Sequence, residues 1–308
     1  MKIAVTGGAG FIASHITDAY IEAGHEVVII DNLSTGKREN INPKAKFVEA
    51  DLNDDSIKTL FAEEKFDIVN HHAAQMSIRI SVDDPRFDAN NNILGALNLF
   101  EAAKASGVKK IIFASSGGAI YGEQDYFPAD EKHPTNPCSP YGIAKLTTEK
   151  YLFYYKEVFG IDYVALRYAN IYGPRQNSVG EAGVVAIFAD KMFAGEQAII
   201  NGDGNNSRDY VFVADVVKAN LLALGNKVSG HFNVGTSIEH DVNFIFKTLK
   251  ELTAADAEEV HAEGKKGEQK RSVLSYEKFK TAHAWQPTVN FADGLKTTVD
   301  YFRQNKLK

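Results

Sequence analysis

The chain has 308 residues, enough for one large domain or two modest ones and for a continuous core without metal or disulfide staples. Forty acidic side chains against 34 basic ones leave a formal charge of −6, which argues against the concentrated basic surface that nucleic acid or an anionic membrane requires. Cys138 is the only cysteine, so no intramolecular disulfide and no cysteine-rich zinc site can form.

Met1-Lys2 leads straight into Ile3-Ala4-Val5 without the charged, apolar and cleavable regions of a signal peptide. No apolar run is long enough to span a bilayer, so a soluble cytoplasmic protein is expected. Short β-branched runs fall at 3–5, 27–30, 46–48, 68–70 and 110–113, separated by stretches at 11–23, 56–64 and 93–105 with apolar residues at helical spacing. This rhythm predicts an α/β protein, a doubly wound parallel sheet covered on both faces. A sixth strand is expected at 163–167 and a later one at 232–235. Four of the eight prolines lie between Pro128 and Pro140, marking a loop that feeds a helix starting near Tyr141. Beyond Arg167 the rhythm breaks at Gly173-Pro174 and at Gly202-Asp203-Gly204-Asn205-Asn206. The reading is a main domain of 1–168 plus 209–235, the latter returning to the sheet, and a smaller substrate-binding portion of 169–208 plus 236–308.

After the first strand, Gly8, Gly10 and Ala13 fit the G-x-G-x-x-G/A fingerprint of a Rossmann-type dinucleotide site. Glycine lets the backbone approach a pyrophosphate, whose charge then sits on a helix N-terminus. The second strand ends at Asp31, 21 residues after Gly10, where a carboxylate would accept hydrogen bonds from a ribose diol and repel a 2′-phosphate. That favours NAD over NADP; an acid that only caps the next turn is the alternative, and Lys37 and Arg38 argue the other way from a polar loop. Asp51-Leu52, after the third strand, is the expected adenine contact, with a plain loop acid as the alternative for Asp51. His71-His72-Ala73-Ala74-Gln75 would line the pyrophosphate and nicotinamide side. Adjacent histidines on a strand point to opposite faces, so no metal pair is expected.

Ser115-Ser116 ends the fifth strand, and Ser139-Pro140-Tyr141-Gly142-Ile143-Ala144-Lys145 opens the next long helix. Tyr141 and Lys145 are four apart and share a helical face. An ammonium beside a phenol, with a nicotinamide cation nearby, favours the phenolate and lowers a pKa that starts near 10, making a base for a secondary alcohol as hydride leaves for NAD, with Ser116 bonded to the same oxygen. A second Tyr-x-x-x-Lys, Tyr276 to Lys280, lacks the upstream serine pair and reads as ordinary surface helix.

These motifs together resemble the extended short-chain dehydrogenase/reductase family, in its NAD-dependent nucleotide-sugar epimerase/dehydratase branch. The resemblance rests on 6–13, Asp31-Asn32-Leu33-Ser34, Ala73-Ala74, Ser115-Ser116, Tyr121-Gly122, 139–145, Leu166-Arg167-Tyr168-Ala169-Asn170, Tyr172-Gly173-Pro174-Arg175 and Arg208-Asp209-Tyr210-Val211. It implies 4-epimerisation of a UDP-sugar through a 4-keto sugar, with bound NAD taking and returning the C4 hydride and Tyr141 as the base. It implies further cofactor neighbours at Gly7, Phe11, Ile12, Asn32, Ser34, Thr35, Gly36, Ser115, Asn91 and Tyr168. On the substrate side it implies Gly117 beside Ser116, Asn170 on phosphate and Arg208 clamping the diphosphate; a salt bridge to a neighbouring acid is the alternative for Arg208.

Where dehydratases of this branch carry an Asp-Glu pair, this chain has Gly117-Gly118, which leaves elimination without its acid and base. A late basic-Gly-acidic segment appears as Lys265-Lys266-Gly267-Glu268, with Lys265 a substrate contact or part of a solvated charge run. Ser272, at a position bordering the sugar, leaves room for a 2-acetamido group. Aromatic bulk at Tyr151-Leu152-Phe153-Tyr154-Tyr155 and Phe159 exceeds the single apolar stripe a helix on a sheet needs. It predicts a homodimer through a four-helix interface with 93–105, as in the family; burial under the C-terminal portion is the alternative. The rival functions are a uronate epimerase or reductase on the same scaffold and a non-catalytic NAD sensor, against which the retained Ser116, Tyr141 and Lys145 speak.

Overall fold

The computed structural model describes residues 1–178, 183–264 and 269–306. In the first half, strands and helices alternate as β1 (Lys2–Thr6), α1 (Phe11–Glu22), β2 (Glu26–Asp31), β3 (Lys46–Glu49), α2 (Ser56–Glu64) and β4 (Ile68–His71). There follow α3 (Ile78–Asp83), α4 (Pro85–Ala89), α5 (Gly95–Ser106), β5 (Lys110–Ser116), α6 (Gly117–Ile120), α7 (Pro140–Phe159) and β6 (Asp162–Tyr168). The second half contains β7 (Asn170–Tyr172), α8 (Val184–Ala194), β8 (Ile199–Asn201), β9 (Ser207–Phe212), α9 (Val213–Ala223) and β10 (Gly230–Val234). It closes with β11 (Glu239–Asp241), α10 (Val242–Thr253), β12 (Val260–Ala262), β13 (Arg271–Ser272), α11 (Glu277–His283) and α12 (Phe291–Lys306).

Seven strands pair in parallel in the order β10-β6-β5-β4-β1-β2-β3. The strand order reverses between β1 and β4, and a crevice opens there beyond the carboxyl ends of the strands. One face of the sheet, with Val5, Ile29, Ile112 and Leu166, is covered by Ile16 and Tyr20 of α1 and Val216 and Ala219 of α9. The other, with Val28, Ile30, Ile111 and Phe113, is covered by α2, α5 and α7 through Phe61, Leu99, Phe100 and Leu152. Burial on both faces is why these strands read as unbroken apolar runs; each such side chain contributes roughly 1.5–3 kcal/mol. A separate cluster around Phe188, Ile245, Phe246 and Leu295 packs α8, α10 and α12 against one another.

Three local features depart from the sequence pattern. Strand β9 does not return to the main sheet: it joins β7, β11 and β13 in a second sheet, and the return starts only with α9 and β10. The open edge of β6 is already taken by β10, paired from Gly230 with Val164 to Val234 with Tyr168. Next, the helix expected from residue 93 opens as a π-helical turn over Asn90–Leu94 before α5. There the buried Asn92 amide donates to Gln75 O and Asp88 Oδ1, both at 2.8 Å, bonds that a regular helix would aim elsewhere. Finally, α11 and its flank belong to the main core, since Phe279 stacks on Phe232 at 4.7 Å and on Trp285 at 5.3 Å. No helix of the described residues is long and apolar enough to cross a membrane.

Candidate active site

At the end of β1 the chain turns sharply at Gly7, whose φ of +71° is a left-handed conformation and whose Cβ, were there one, would lie 2.7 Å from Ala73 N. The turn and the end of β4 thus touch backbone to backbone. Thr6 Oγ1 ties them together, accepting from the N–H groups of His72 (3.2 Å) and Ala73 (3.1 Å). Gly10 is the N-cap of α1 and brings no side chain to cap it, so the N–H groups of the first turn, at Phe11 and Ile12, face the crevice as donors for an anion. Asp31 is buried and accepts from Ala9 N (3.0 Å) and Leu33 N (2.8 Å), which fixes the turn against the following loop. Gly36 packs on the same carboxylate, while Asn32, Ser34 and Thr35 stay exposed. Asp51 accepts from Asn32 Nδ2 (2.8 Å) and from the Asn53 N–H (2.9 Å). Burial would raise its pKa, but these bonds outweigh it and hold the carboxyl below its usual range. Leu52 lies in the core with its carbonyl accepting from Asn98.

His71 and His72 point apart. His71 stacks on Phe113 in the core, whereas His72 Nε2 meets Tyr168 Oη at 3.1 Å. Burial pushes the His72 imidazole down to about 3, and its buried Nδ1 has no partner among the described residues. Gln75 is bound inward, donating to Asp88 Oδ1 and Ser77 O, both at 2.9 Å. The Asn91 amide donates to Phe87 O within its own helix, and Asn92, which the sequence did not single out, is the asparagine bonded to Gln75.

Helix α7 starts where Ser139 Oγ accepts from Gly142 N at 3.1 Å and Pro140 occupies the first turn. Its first two turns bring Tyr141 and Lys145 to the end of β5. The Ser116 hydroxyl lies beside Tyr141, and Lys145 Nζ donates to Ala114 O at 2.8 Å and lies 5.6 Å from the Tyr141 ring centre. The protein's own groups do not by themselves lower the phenol. Burial dominates and pushes Tyr141 up to about 12, partly offset by the Ser116 bond and reinforced by the charge of Asp88. Burial likewise brings Lys145 down to about 8, with Asp88 pulling the other way.

Alternation turns Ser115 to the face on which α7 packs, and its hydroxyl donates to Glu149 Oε1 at 2.6 Å. Glu149 pairs with Arg167 in the core, a pair that sequence reasoning missed although Glu149 repeats the Tyr141–Lys145 spacing one turn further on. Gly117 is required by packing, because a Cβ there would overlap Leu274. A Cβ on Gly118 would lie 3.9 Å from both Asn170 Oδ1 and Ser272 Oγ, so these three residues meet beyond the end of β5. The Arg208 guanidinium donates to Ser207 O (2.8 Å) and Gln269 O (2.6 Å), which stations it at the mouth of the second sheet. Lys265 lies outside the described residues. Tyr276 packs on Trp285 and precedes α11, away from any serine pair.

Residues 3–235 match the sequence profile of the NAD-dependent epimerase/dehydratase family. The chain belongs to that family. It is 45% identical over 303 residues to a putative UDP-glucose 4-epimerase of Methanocaldococcus jannaschii, covering 98% of this chain and 99% of the relative. Among solved structures, the UDP-glucose 4-epimerase of Thermotoga maritima with UDP-glucose superposes with a TM-score of 0.97 at 50% identity, over 99% of this chain and 100% of the other. The UDP-glucose 4-epimerase of Thermus thermophilus in complex with NAD gives 0.94 at 44% identity, over 98% and 99%. The uncapped helix start, the side-chain-free approach at Gly7 and the unpartnered His72 nitrogen fit NAD, the cofactor of the family.

Gly7→Ala forces a methyl into the Ala73 backbone in a conformation that itself costs about 1–2 kcal/mol. A lower melting temperature and at least a tenfold weaker NAD affinity, read by calorimetric titration, are expected.

Proposed function

We propose that this chain is a UDP-sugar 4-epimerase interconverting UDP-glucose and UDP-galactose. The observation that carries the reading is the meeting of Ser116, Tyr141 and Lys145 at the end of β5, beside the glycine turn, with Gly117-Gly118 where an eliminating enzyme needs an acid and a base. The dinucleotide would be held by the turn with Gly7, Gly10, Phe11 and Ile12, by Asp31, Asn32, Ser34, Thr35 and Gly36, and by Asp51 and Leu52. His72, Ala73, Ala74, Gln75, Asn91, Ser115, Tyr141, Lys145 and Tyr168 would complete the cofactor site. When bound, NAD supplies reversible hydride acceptance, so that the C4 alcohol can pass through a ketone and return with either configuration.

The chain's own part is proton handling and grip. Tyr141 Oη receives the proton of the sugar 4-hydroxyl and returns it, while Ser116 Oγ bonds the same sugar oxygen. Lys145 holds a positive charge beside the phenol, favouring the phenolate that burial alone opposes. Asn170 and Arg208 bind the diphosphate, Arg208 because its planar fork matches phosphate oxygens, and Lys265 adds a further phosphate contact. Gly117 contacts the sugar beside Ser116, and Ser272, a small side chain near Gly118 and Asn170, accommodates a 2-acetamido group. On this reading cofactor binding falls to 1–168 with 209–235 and substrate covering to 169–208 with 236–308, although β9 and α11 cross that division.

The same proposal includes a cytoplasmic homodimer. Phe153, Tyr154 and Val158 of α7 are 54%, 45% and 57% exposed, and Leu94, ahead of α5, is 54% exposed. Their burial by the same faces of a second copy in a four-helix interface accounts for the aromatic excess.

Incubation with UDP-galactose without added cofactor should yield UDP-glucose by NMR; net NADH release or loss of water would overturn the proposal. Tyr141→Phe should lower kcat by about 10²–10⁴-fold. Because Lys145 titrates near 8, the ammonium is present below that pH and lost above it, so kcat should decline as pH rises through about 8. Phe153→Glu should convert the dimer to monomer in sedimentation equilibrium, whereas an unchanged mass would remove the interface.

A further inference from the structure

A buried polar chain runs from the helix that carries Tyr141 to the segment beside the sugar space. Glu149 lies one turn beyond Lys145 on the same face of α7. Its carboxylate accepts from Ser115 Oγ at 2.6 Å, from Arg167 Nε at 3.0 Å and from Arg167 Nη2 at 2.7 Å. Arg167 Nη1 donates to Tyr121 Oη at 2.9 Å, and Tyr121 Oη donates to Asn233 Oδ1 at 2.8 Å. Asn233 Nδ2 in turn donates to Ala129 O at 3.0 Å, and Ala129 N donates to Val273 O at 2.9 Å, next to Ser272. The chain joins α7, β5, β6, the stretch after α6, β10 and the residue following β13.

Two neighbouring residues of β5 therefore receive two consecutive turns of α7. Ala114 O accepts from the Lys145 ammonium at 2.8 Å, and Ser115 Oγ donates a hydrogen bond to Glu149 Oε1 at 2.6 Å. A helix pinned at two points along one strand can neither slide nor roll on it. The Glu149–Arg167 pair is 6% and 5% exposed, and a pair so buried contributes little net stability against an apolar replacement, so its best-attested use is to fix register. We propose that Glu149, clamped between Ser115 and Arg167, is a positioning residue that sets Lys145 and Tyr141 against the end of β5. Through Tyr121, Asn233 and Ala129 the same constraint reaches Val273, next to Ser272.

The inference rests on the epimerase reading for its catalytic consequence, but its central claim is testable without turnover. Lys145 is faced by Tyr141 on its own helix, by Asp88 of α4, by His71 at the end of β4 and by His72 just after it; burial, and after it the Lys145 charge, lowers both histidines. With the clamp loosened, water reaches Lys145 and its pKa rises from about 8 toward the ordinary 10.5. The experiment is an NMR titration of Lys145 in the full-length protein labelled with 13C-lysine, comparing wild type with Ser115→Ala and Glu149→Gln. An upward shift of the lysine midpoint in the folded variants is expected. In the turnover assay kcat should fall by about 10- to 100-fold, with KM changed far less. A lower melting temperature with Lys145 and kcat both unmoved would overturn the proposal. Should Glu149→Gln fail to fold, Ser115→Ala decides alone, since it leaves the Arg167 pair intact. Tyr121→Phe, which cuts the chain beyond Arg167, should raise KM more than it lowers kcat; an unchanged KM overturns the extension to the sugar space. If wild type turns over no UDP-sugar the epimerase reading fails, while the lysine titration still decides the clamp.

Discussion

Burial of a phenol and an ammonium group at the same edge of a parallel sheet governs everything the site can do. In water Tyr141 and Lys145 would titrate close together; inside the protein burial drives each toward its neutral form, Tyr141 to about 12 and Lys145 to about 8. Ser116 eases the phenolate, and Asp88, buried with one carboxylate oxygen unpartnered among the described residues, supports the lysine cation while opposing the phenolate. The resting site is thus held close to electrical neutrality. Small changes in where Lys145 sits, or in the charge beside it, have large effects on whether Tyr141 can carry a negative charge.

That balance requires geometry, and the sheet provides it. The strand order reverses between the paired strands β1 and β4, and the crevice lies beyond their carboxyl ends, bordered by the left-handed turn at Gly7 and by Leu33, whose φ is also positive. Strand β5 runs past its apolar pattern and ends in two serines whose side chains alternate. Ser115 turns to the α7 body and Ser116 meets Tyr141. The second sheet closes the other side. Asp209 of β9 is buried at its centre and accepts from Thr236 N (2.9 Å), Ser237 N (3.1 Å) and Leu274 N (3.2 Å). Burial outweighs even these bonds and raises its carboxyl to about 6. The loop after β10 and the strand carrying Ser272 are gathered around that one side chain.

Much of this was legible in the amino-acid order. The six early strands, the helices over 11–22 and 56–64, the glycine turn and the Tyr141–Lys145 pair all follow from local rules: alternation, helical spacing, capping by Ser139 and the conformational freedom of Gly7. What was missed is nonlocal. Glu149 and Arg167 look like ordinary charged residues until β6 is laid beside β5, when they become a buried ion pair behind the site. Asn91 and Asn92 are indistinguishable in a run of asparagines, and the π-helical turn chooses Asn92 for the interior. Strand β9 has the composition of a sheet strand, but which sheet it enters depends on β10 having taken the β6 edge.

Amino-acid order alone dictated the parallel sheet, the glycine turn and the pairing of Tyr141 with Lys145, because each depends on residues within a few turns or one strand of one another. The ionisation of that pair, the partner of Ser115, the meeting of Asn170 and Ser272 at Gly118 and the membership of β9 were settled only once the chain had folded. Those properties come from burial and from contacts between residues tens to hundreds of positions apart, and desolvation is a quantity that no local pattern encodes.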